Sequence, residues 1–107
     1  MNYKRKGSDG ERELAALLNS AGINAHRNDQ MYVGGKNNPD VYAEICGQPF
    51  HIEVKRVERL NISEAMQQSV RDAAPGSLPV VVHRKNRSPW LITLPLLEWL
   101  AFEGITE

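Results

Sequence analysis

An alternation of apolar and polar residues between positions 40 and 57 constrains the fold more than any other feature of the sequence. Residues 49–55 read PFHIEVK and residues 40–45 read DVYAEI, so every second side chain is apolar in both segments. Successive side chains of a β-strand point to opposite faces, so each segment predicts a strand with one face in a core. The intervening CGQP at 46–49 is typical of a turn, and we predict that strands 40–45 and 50–57 form an antiparallel hairpin.

Helical periodicity and capping residues predict three helices. Residues 8–21 carry apolar side chains on one face, with Ser8 as the N-cap and Gly22 after the last turn. Asn61 predicts the start of a second helix, and Pro95 suits the first turn of a short final helix. The inner face of the second helix is predicted to hold Ile62, Met66, Ser69, Val70 and Ala73.

Three further strands complete the predicted topology. They cover residues 23–27, 79–83 and 90–94, and the apolar run PVVVH at 79–83 favours a strand buried on both faces. The polar, glycine-containing residues 28–38 form a loop whose length is typical of a functional loop. The order αβββαββα predicts one α/β domain spanning residues 1–107.

Charge and cysteine content exclude several classes of protein. Thirteen basic residues balance thirteen acidic ones, and Cys46 is the only cysteine, which excludes an intramolecular disulfide and a cysteine-rich metal site. No apolar run reaches membrane-spanning length, and the N-terminus lacks the apolar region of a signal peptide. We therefore expect a cytoplasmic protein without a membrane partner.

Basic residues are clustered although the net charge is zero. Such clusters can contact the phosphates of DNA, or they can be ordinary solvated turns. The loop residue Lys36, beside two glycines, could also touch the DNA backbone, although the spacing of a nucleotide-binding loop is absent. The candidate DNA-binding residues are Lys4, Arg5, Lys6, Lys36, Arg84, Lys85 and Arg87.

Asp40, Glu53 and Lys55 form the constellation with the clearest chemistry. Glu53 and Lys55 lie two residues apart and therefore point to the same face of their strand, and pairing as a hairpin brings Asp40 close to Glu53. Two neighbouring carboxylates repel each other unless a proton or a cation lies between them, and a hard divalent cation such as Mg²⁺ suits them. The alternative is a surface salt bridge between Glu53 and Lys55, of little energetic consequence.

Glu11 is a further candidate at this site. It projects from the apolar side of the first helix, where a carboxylate needs a partner. The alternative is local, because Ser8 to Glu11 has the spacing of a capping box. His51 shares the face of Glu53 and could reach the site, although we favour a partly exposed strand residue. We expect Trp90 and Trp99 in the core or at a dimer surface.

These residues resemble the signature of the PD-(D/E)xK nucleases. Pro39-Asp40 is followed after thirteen residues by Glu53-Val54-Lys55. The preceding KGSDGEREL at 6–14, with a glycine-rich loop before Pro39, is similar to the archaeal-type Holliday junction resolvases and related phage resolvases. The resemblance covers residues 4–94. The chain departs from the archaeal pattern in being short and in lacking a strongly basic run after Lys55.

The resemblance implies a restriction-endonuclease-like fold, a mixed central sheet flanked by helices. It implies Mg²⁺-dependent hydrolysis of DNA phosphodiesters, with Mn²⁺ as an alternative ion, and a homodimer that acts on branched or junction DNA in the cytoplasm of a bacterial host. Asp40, Glu53 and the Val54 carbonyl would be metal ligands, Glu11 would complete or support the site, and Lys55 would position the water. A glutamine on the second helix would join them, with Gln68 preferred to Gln67.

Three rival hypotheses stay open from the sequence. The first is a nicking, flap or single-strand nuclease of phage replication or recombination. The second is a non-catalytic DNA-binding module on the same fold. The third is a small assembly protein whose sheet carries salt bridges but no active site.

Overall fold

The computed structural model describes residues 3–27 and 38–102, with side chains from residue 8 onward. The order of elements is the predicted one, helix, three strands, helix, two strands, helix. The elements are α1 (Tyr3–Ser20), β1 (Asn24–Arg27), β2 (Val41–Ile45), β3 (Gln48–Arg56), α2 (Ile62–Asp72), β4 (Leu78–Arg84), β5 (Leu91–Thr93) and α3 (Leu96–Phe102).

The five strands form one mixed sheet in the order β1-β2-β3-β4-β5. Strands β3 and β4 are parallel, and the other neighbouring pairs are antiparallel. The connection between two parallel strands must cross from one end of the sheet to the other, and α2 makes that crossing. Together with the flanking helices, this sheet confirms the predicted α/β class and restriction-endonuclease-like fold.

The β2–β3 hairpin is confirmed, with a tighter turn than predicted. Ile45 pairs with Gln48, so only Cys46 and Gly47 lie between the strands. Both have positive φ, 52° and 79°. Two such residues in a row are typical of a type I′ turn, whose twist matches that of the strands it joins.

The main core lies on the sheet face that packs against α1. Leu14 of α1 packs against this face, and Phe102 of α3 contacts Phe50 edge-on, with ring centroids 5.3 Å apart. The buried strand residues of this core are Ala25, Val41, Ala43, Phe50, Ile52, Val54, Leu78, Val80 and Val82.

The opposite sheet face is covered by α2. Ala65 and Ser69 are its buried residues, and Ser69 Oγ donates to the Val80 carbonyl oxygen at 3.0 Å. Residues 78–82 of β4 are all buried. The prediction that this apolar run is covered on both faces is therefore confirmed.

The start of α1 differs from the prediction. The helix begins at Tyr3, so Ser8 lies inside it, and both the Ser8 N-cap and the capping box from Ser8 to Glu11 are wrong. The hydroxyl of Ser8 instead accepts a hydrogen bond from Arg27 Nη2 at 2.9 Å. Gly10 lies where the helix crosses β3, and a Cβ atom there would be 3.2 Å from the Cβ atom of Arg56. The glycine therefore permits the close approach of helix and sheet.

The second helix confirms its predicted cap and corrects its predicted inner face. The Asn61 side chain accepts a hydrogen bond from the Glu64 N–H at 3.1 Å. Val70, however, is 53% exposed, and Ala65 is buried instead. Ala65 and Ser69 are four residues apart and face β4 together, which leaves Val70 one step round the helix and away from the sheet.

The two tryptophans differ in their surroundings. Trp90 packs against the main core, which is one of the two predicted alternatives, and Trp99 is 40% exposed. Over the two described segments, no helix has both the length and the apolar character needed to span a bilayer.

Candidate active site

Asp40 and Glu53 come together at the point where β2 begins beside β3. Val41 is paired with Ile52, so Asp40 falls next to Glu53 on the neighbouring strand. The Asp40 N–H donates to the Ile52 carbonyl oxygen at 3.0 Å. Its carboxylate oxygen Oδ2 accepts from the Val54 N–H at 2.9 Å. Asp40 is therefore fixed to β3 through both its backbone and its side chain.

Glu53 is almost completely buried, with 4% of its surface exposed. Its Oε1 atom lies 3.1 Å from Nε2 of His51, which is itself only 2% exposed. The expectation that His51 is partly exposed is wrong, because α2 covers this face of the sheet. The alternative of a solvent-exposed pair between Glu53 and Lys55 is wrong for the same reason.

Burial and neighbouring groups shift the pKa values of the two carboxyl groups in opposite directions. Burial first, and then the charge of Glu53, raise the pKa of Asp40 to about 7, although the hydrogen bond from the Val54 N–H lowers it. For Glu53, burial alone would raise the pKa, but hydrogen bonds with His51 and Asp40 outweigh it and lower the pKa. Two adjacent buried negative charges are unfavourable without a cation.

Lys55 lies further along the same strand and contacts α2. Its Nζ atom donates a long hydrogen bond of 3.5 Å to Oε1 of Gln68. Gln67, the other candidate, is exposed. The structure therefore brings Gln68, the preferred residue, into contact with Lys55.

Glu11 is paired with Arg27 in this structure. Its Oε1 atom accepts hydrogen bonds from Arg27 at Nη2 (3.2 Å) and Nε (3.3 Å). Glu11 still lies near enough to contribute to the raised pKa of Asp40. Within residues 3–27 and 38–102, no three His, Cys, Asp or Glu side chains converge as a complete metal site. Arg27 contacts only Oε1 of Glu11, so Oε2 would be the oxygen with which Glu11 could support a cation.

The donor set nevertheless fits a hard divalent cation. Asp40 and Glu53 offer carboxylate oxygens on neighbouring strands, and a cation between them would relieve the repulsion between two adjacent negative charges. The N–H and C=O of one strand residue point to the same edge, so the Val54 carbonyl points toward the side on which its N–H meets Asp40. Mg²⁺ is ordinarily held by one or two carboxylates with waters and phosphate oxygens completing its shell.

Of the candidate DNA-binding residues, Arg84 is engaged in the fold. Its Nη2 atom donates to Glu13 Oε1 at 2.9 Å, and its guanidinium lies 5.4 Å from the ring centroid of Trp90. Glu13 also accepts from Trp90 Nε1 at 3.0 Å, and the hydrogen bond from Arg84 is the main reason why the pKa of Glu13 is lowered.

Lys85 and Arg87 are exposed on the turn that follows β4. Lys36 and the side chains of Lys4, Arg5 and Lys6 lie outside what the structure describes.

Two contacts were not predicted, one at the site and one that joins α1 to β4. The His51–Glu53 contact had a signal in the sequence, since residues two apart on a strand share a face. The network of Glu13, Arg84 and Trp90 had none, because it joins residues more than 70 positions apart.

Comparison with known proteins agrees with this geometry. The family model described as "Phage putative PDDEXK endonuclease" matches residues 2–104. Among solved structures, the chain is similar to Hjc of Archaeoglobus fulgidus, a Holliday junction resolvase from an archaeal hyperthermophile. The two share 29% sequence identity with a TM-score of 0.64, over 83% of this chain and 72% of that one. No curated protein matches. The family model matches nearly the whole chain, and Asp40, at the start of β2, lies beside the central strand β3 that carries Glu53 and Lys55, so the chain belongs to the phage PD-(D/E)xK endonuclease family.

Proposed function

We propose that this nuclease is a Mg²⁺-dependent endodeoxyribonuclease that cuts branched DNA, as a Holliday junction resolvase does. The observation that carries the proposal is the convergence of two carboxyl groups, with Asp40 beside Glu53 on the neighbouring strand and Lys55 on the same strand as Glu53. Two adjacent carboxyl groups that are shielded from solvent lower the stability of the fold, and a bound cation would offset their repulsion.

Asp40, Glu53 and the Val54 carbonyl would hold the cation, with Glu11 as a supporting ligand through its Oε2 atom while Arg27 holds Oε1. A bound divalent cation would supply Lewis-acid polarisation of the phosphodiester and offset its developing negative charge. For this, the Asp40 carboxyl, whose pKa is raised to about 7, must lose its proton, whereas hydrogen bonds with His51 and Asp40 lower the pKa of Glu53.

The Lys55 amine would orient the attacking water and stabilise charge on the phosphate. The amide of Gln68 contacts that amine and would hold it near the reacting phosphate. In-line attack on the phosphorus would leave a 5′-phosphate and a 3′-hydroxyl.

The preference for branched DNA is supported by the likeness to the archaeal resolvase, which extends over 83% of this chain at 29% identity. The exposed Lys85 and Arg87 would contact the phosphate backbone, together with Lys4, Arg5, Lys6 and Lys36. The natural setting that follows is DNA recombination by a phage in the cytoplasm of its bacterial host.

A homodimer would let one enzyme make two symmetric cuts in a junction. Large apolar side chains remain exposed at the edge strand β5 and on α3, with exposed fractions of 56% for Leu91, 56% for Ile92, 66% for Leu96 and 77% for Leu97. These residues would form the interface. Light scattering should give the mass of a dimer for the wild type and of a monomer for Leu97→Asp.

A cleavage panel tests the proposal. Four-way junctions, flaps, nicked duplexes, linear duplexes and single strands are incubated with the protein and Mg²⁺ or Mn²⁺, with EDTA and Asp40→Asn as controls. Preferred, symmetric cutting of the junction is expected, with no product in either control. Preferred cutting of flaps or nicks would contradict the resolvase proposal and favour a nuclease of phage replication. DNA binding without any cleavage would favour a non-catalytic DNA-binding module on the same fold.

A further inference from the structure

A buried histidine contacts the carboxylate of Glu53. His51 and Glu53 lie two residues apart on β3, so their side chains project from the same face of the sheet. His51 Nε2 lies 3.1 Å from Glu53 Oε1, and the two residues are 2% and 4% exposed. A carboxylate that binds a cation is ionised and has only acceptors, so in the cation-binding state His51 would donate through its Nε2–H.

The histidine is fixed by the elements around it. Tyr42 of β2 and Pro79 of β4 are its register neighbours on the two adjacent strands. From α2, the fully buried Ser69 donates to the carbonyl oxygens of His51 (3.4 Å) and Val80 (3.0 Å). The backbone that carries the imidazole is therefore anchored to the helix above it and to the strands on either side.

Packing alone does not require a polar ring at this position. A buried imidazole loses its hydration, and this loss is unfavourable unless a hydrogen bond replaces it. An apolar side chain of similar size would fill the same space without that cost. His51 makes its hydrogen bond to Glu53, a carboxylate that would bind the cation. A role at the cation site therefore accounts for a histidine at this position better than packing in the core does.

We infer that His51 is a positioning residue for the divalent-cation site, and this inference rests on the site proposed at Asp40 and Glu53. Its donation to Oε1 fixes the plane of the Glu53 carboxylate and leaves Oε2 available to a cation. Asp40 is fixed in the same way, because its Oδ2 atom accepts from the Val54 N–H at 2.9 Å. Each carboxylate thus has one oxygen held by a protein donor, so the pair is oriented before a cation binds.

The test compares His51→Gln with His51→Met. Glutamine places an amide N–H close to the position of the imidazole Nε2, whereas methionine has a similar length and flexibility but no donor. Mn²⁺ alone is titrated into each DNA-free protein by isothermal titration calorimetry. We expect Mn²⁺ affinity to fall about 10–100-fold in His51→Met, the loss typical when the hydrogen-bond partner of a metal ligand is removed. In His51→Gln the donor is kept, and the loss should be smaller than about 10-fold.

Thermal unfolding in EDTA checks that the variants fold, and His51→Leu serves as the donor-free protein if His51→Met does not. Cleavage of a four-way junction gives a second measurement. In the donor-free variant, the Mn²⁺ concentration for half-maximal rate should rise, and the rate at saturating Mn²⁺ should stay near that of the wild type.

Equal Mn²⁺ affinity in all three proteins would overturn the inference. An equal loss in both variants would overturn it too, because it would make His51 a direct ligand or a packing residue. If the wild type binds no Mn²⁺, the proposed cation site is absent, and the inferred role of His51 at that site is overturned as well. If the wild type binds Mn²⁺ with the expected pattern among variants but cuts no DNA, the nuclease proposal fails and the positioning role stands.

Discussion

Replacing Asp40 by asparagine should stabilise the metal-free protein while removing its activity. The side-chain oxygen of the introduced asparagine can still accept from the Val54 N–H, and its amide can donate to Glu53 as the protonated carboxyl does. The variant therefore resembles wild-type protein with Asp40 protonated, but it keeps that state at every pH.

The magnitude follows from the raised pKa of Asp40. The folded protein holds the Asp40 proton up to about pH 7, whereas an unfolded chain releases it near 3.8. Stability that depends on this proton is fully present below pH 3.8 and is lost as pH rises to about 7. A shift of about three pKa units corresponds to at most about 4 kcal/mol, and relaxation of a partly exposed pair reduces this. We expect Asp40→Asn to raise the free energy of unfolding at pH 8 by about 1–3 kcal/mol.

Urea unfolding in EDTA at pH 5 and pH 8 measures this difference. The gain from Asp40→Asn should be larger at pH 8 than at pH 5, and comparison of the two proteins cancels contributions from other groups. His83 is one such group, because burial lowers its pKa and its effect on stability has the opposite sign. A variant that is no more stable than wild type at pH 8, or a gain that is independent of pH, would refute the reasoning. Adding Mn²⁺ should stabilise only the wild type.

Four further measurements test separate parts of the structure. Mn²⁺ affinity of the wild type, measured by calorimetry, should increase up to about pH 7 and then level off, because the ion competes with the Asp40 proton. An affinity that does not change with pH would contradict the raised pKa of Asp40. Lys55→Gln should reduce the single-turnover cleavage rate at least about 100-fold and leave Mn²⁺ affinity unchanged; a parallel loss of affinity would place the lysine in the assembly of the site. Gly47→Ala should lower the free energy of unfolding by about 1 kcal/mol, since φ is 79° and strains any side chain, although no atom of the described residues lies within 4 Å of an added Cβ; unchanged urea stability would show that the hairpin turn tolerates a side chain. Glu13→Gln should cost about 1–2 kcal/mol because Arg84 loses a charged partner; a calorimetric Tm equal to that of the wild type would show that solvent replaces it.

Periodicity in the sequence determined the hairpin and the order of the elements. Successive side chains of a strand point to opposite faces, so Glu53 and Lys55, two residues apart, share one face whatever packs against it. The short turn at Cys46 and Gly47 then sets the register that brings Asp40 beside Glu53. The central part of the site was predictable because these contacts are local to one hairpin.

The surroundings of that hairpin were decided by tertiary structure. Alternation assigns a side chain to a face but does not say what covers it, so the burial of His51 depended on the docking of α2. The partner of Glu11 was settled in the same way, because Arg27 lies 16 residues away on another element. The choice of Gln68 over Gln67 likewise depended on how α2 is rotated against β3. The charge of Asp40 is the last such property, since desolvation and neighbouring charges exist only once the chain has folded around it.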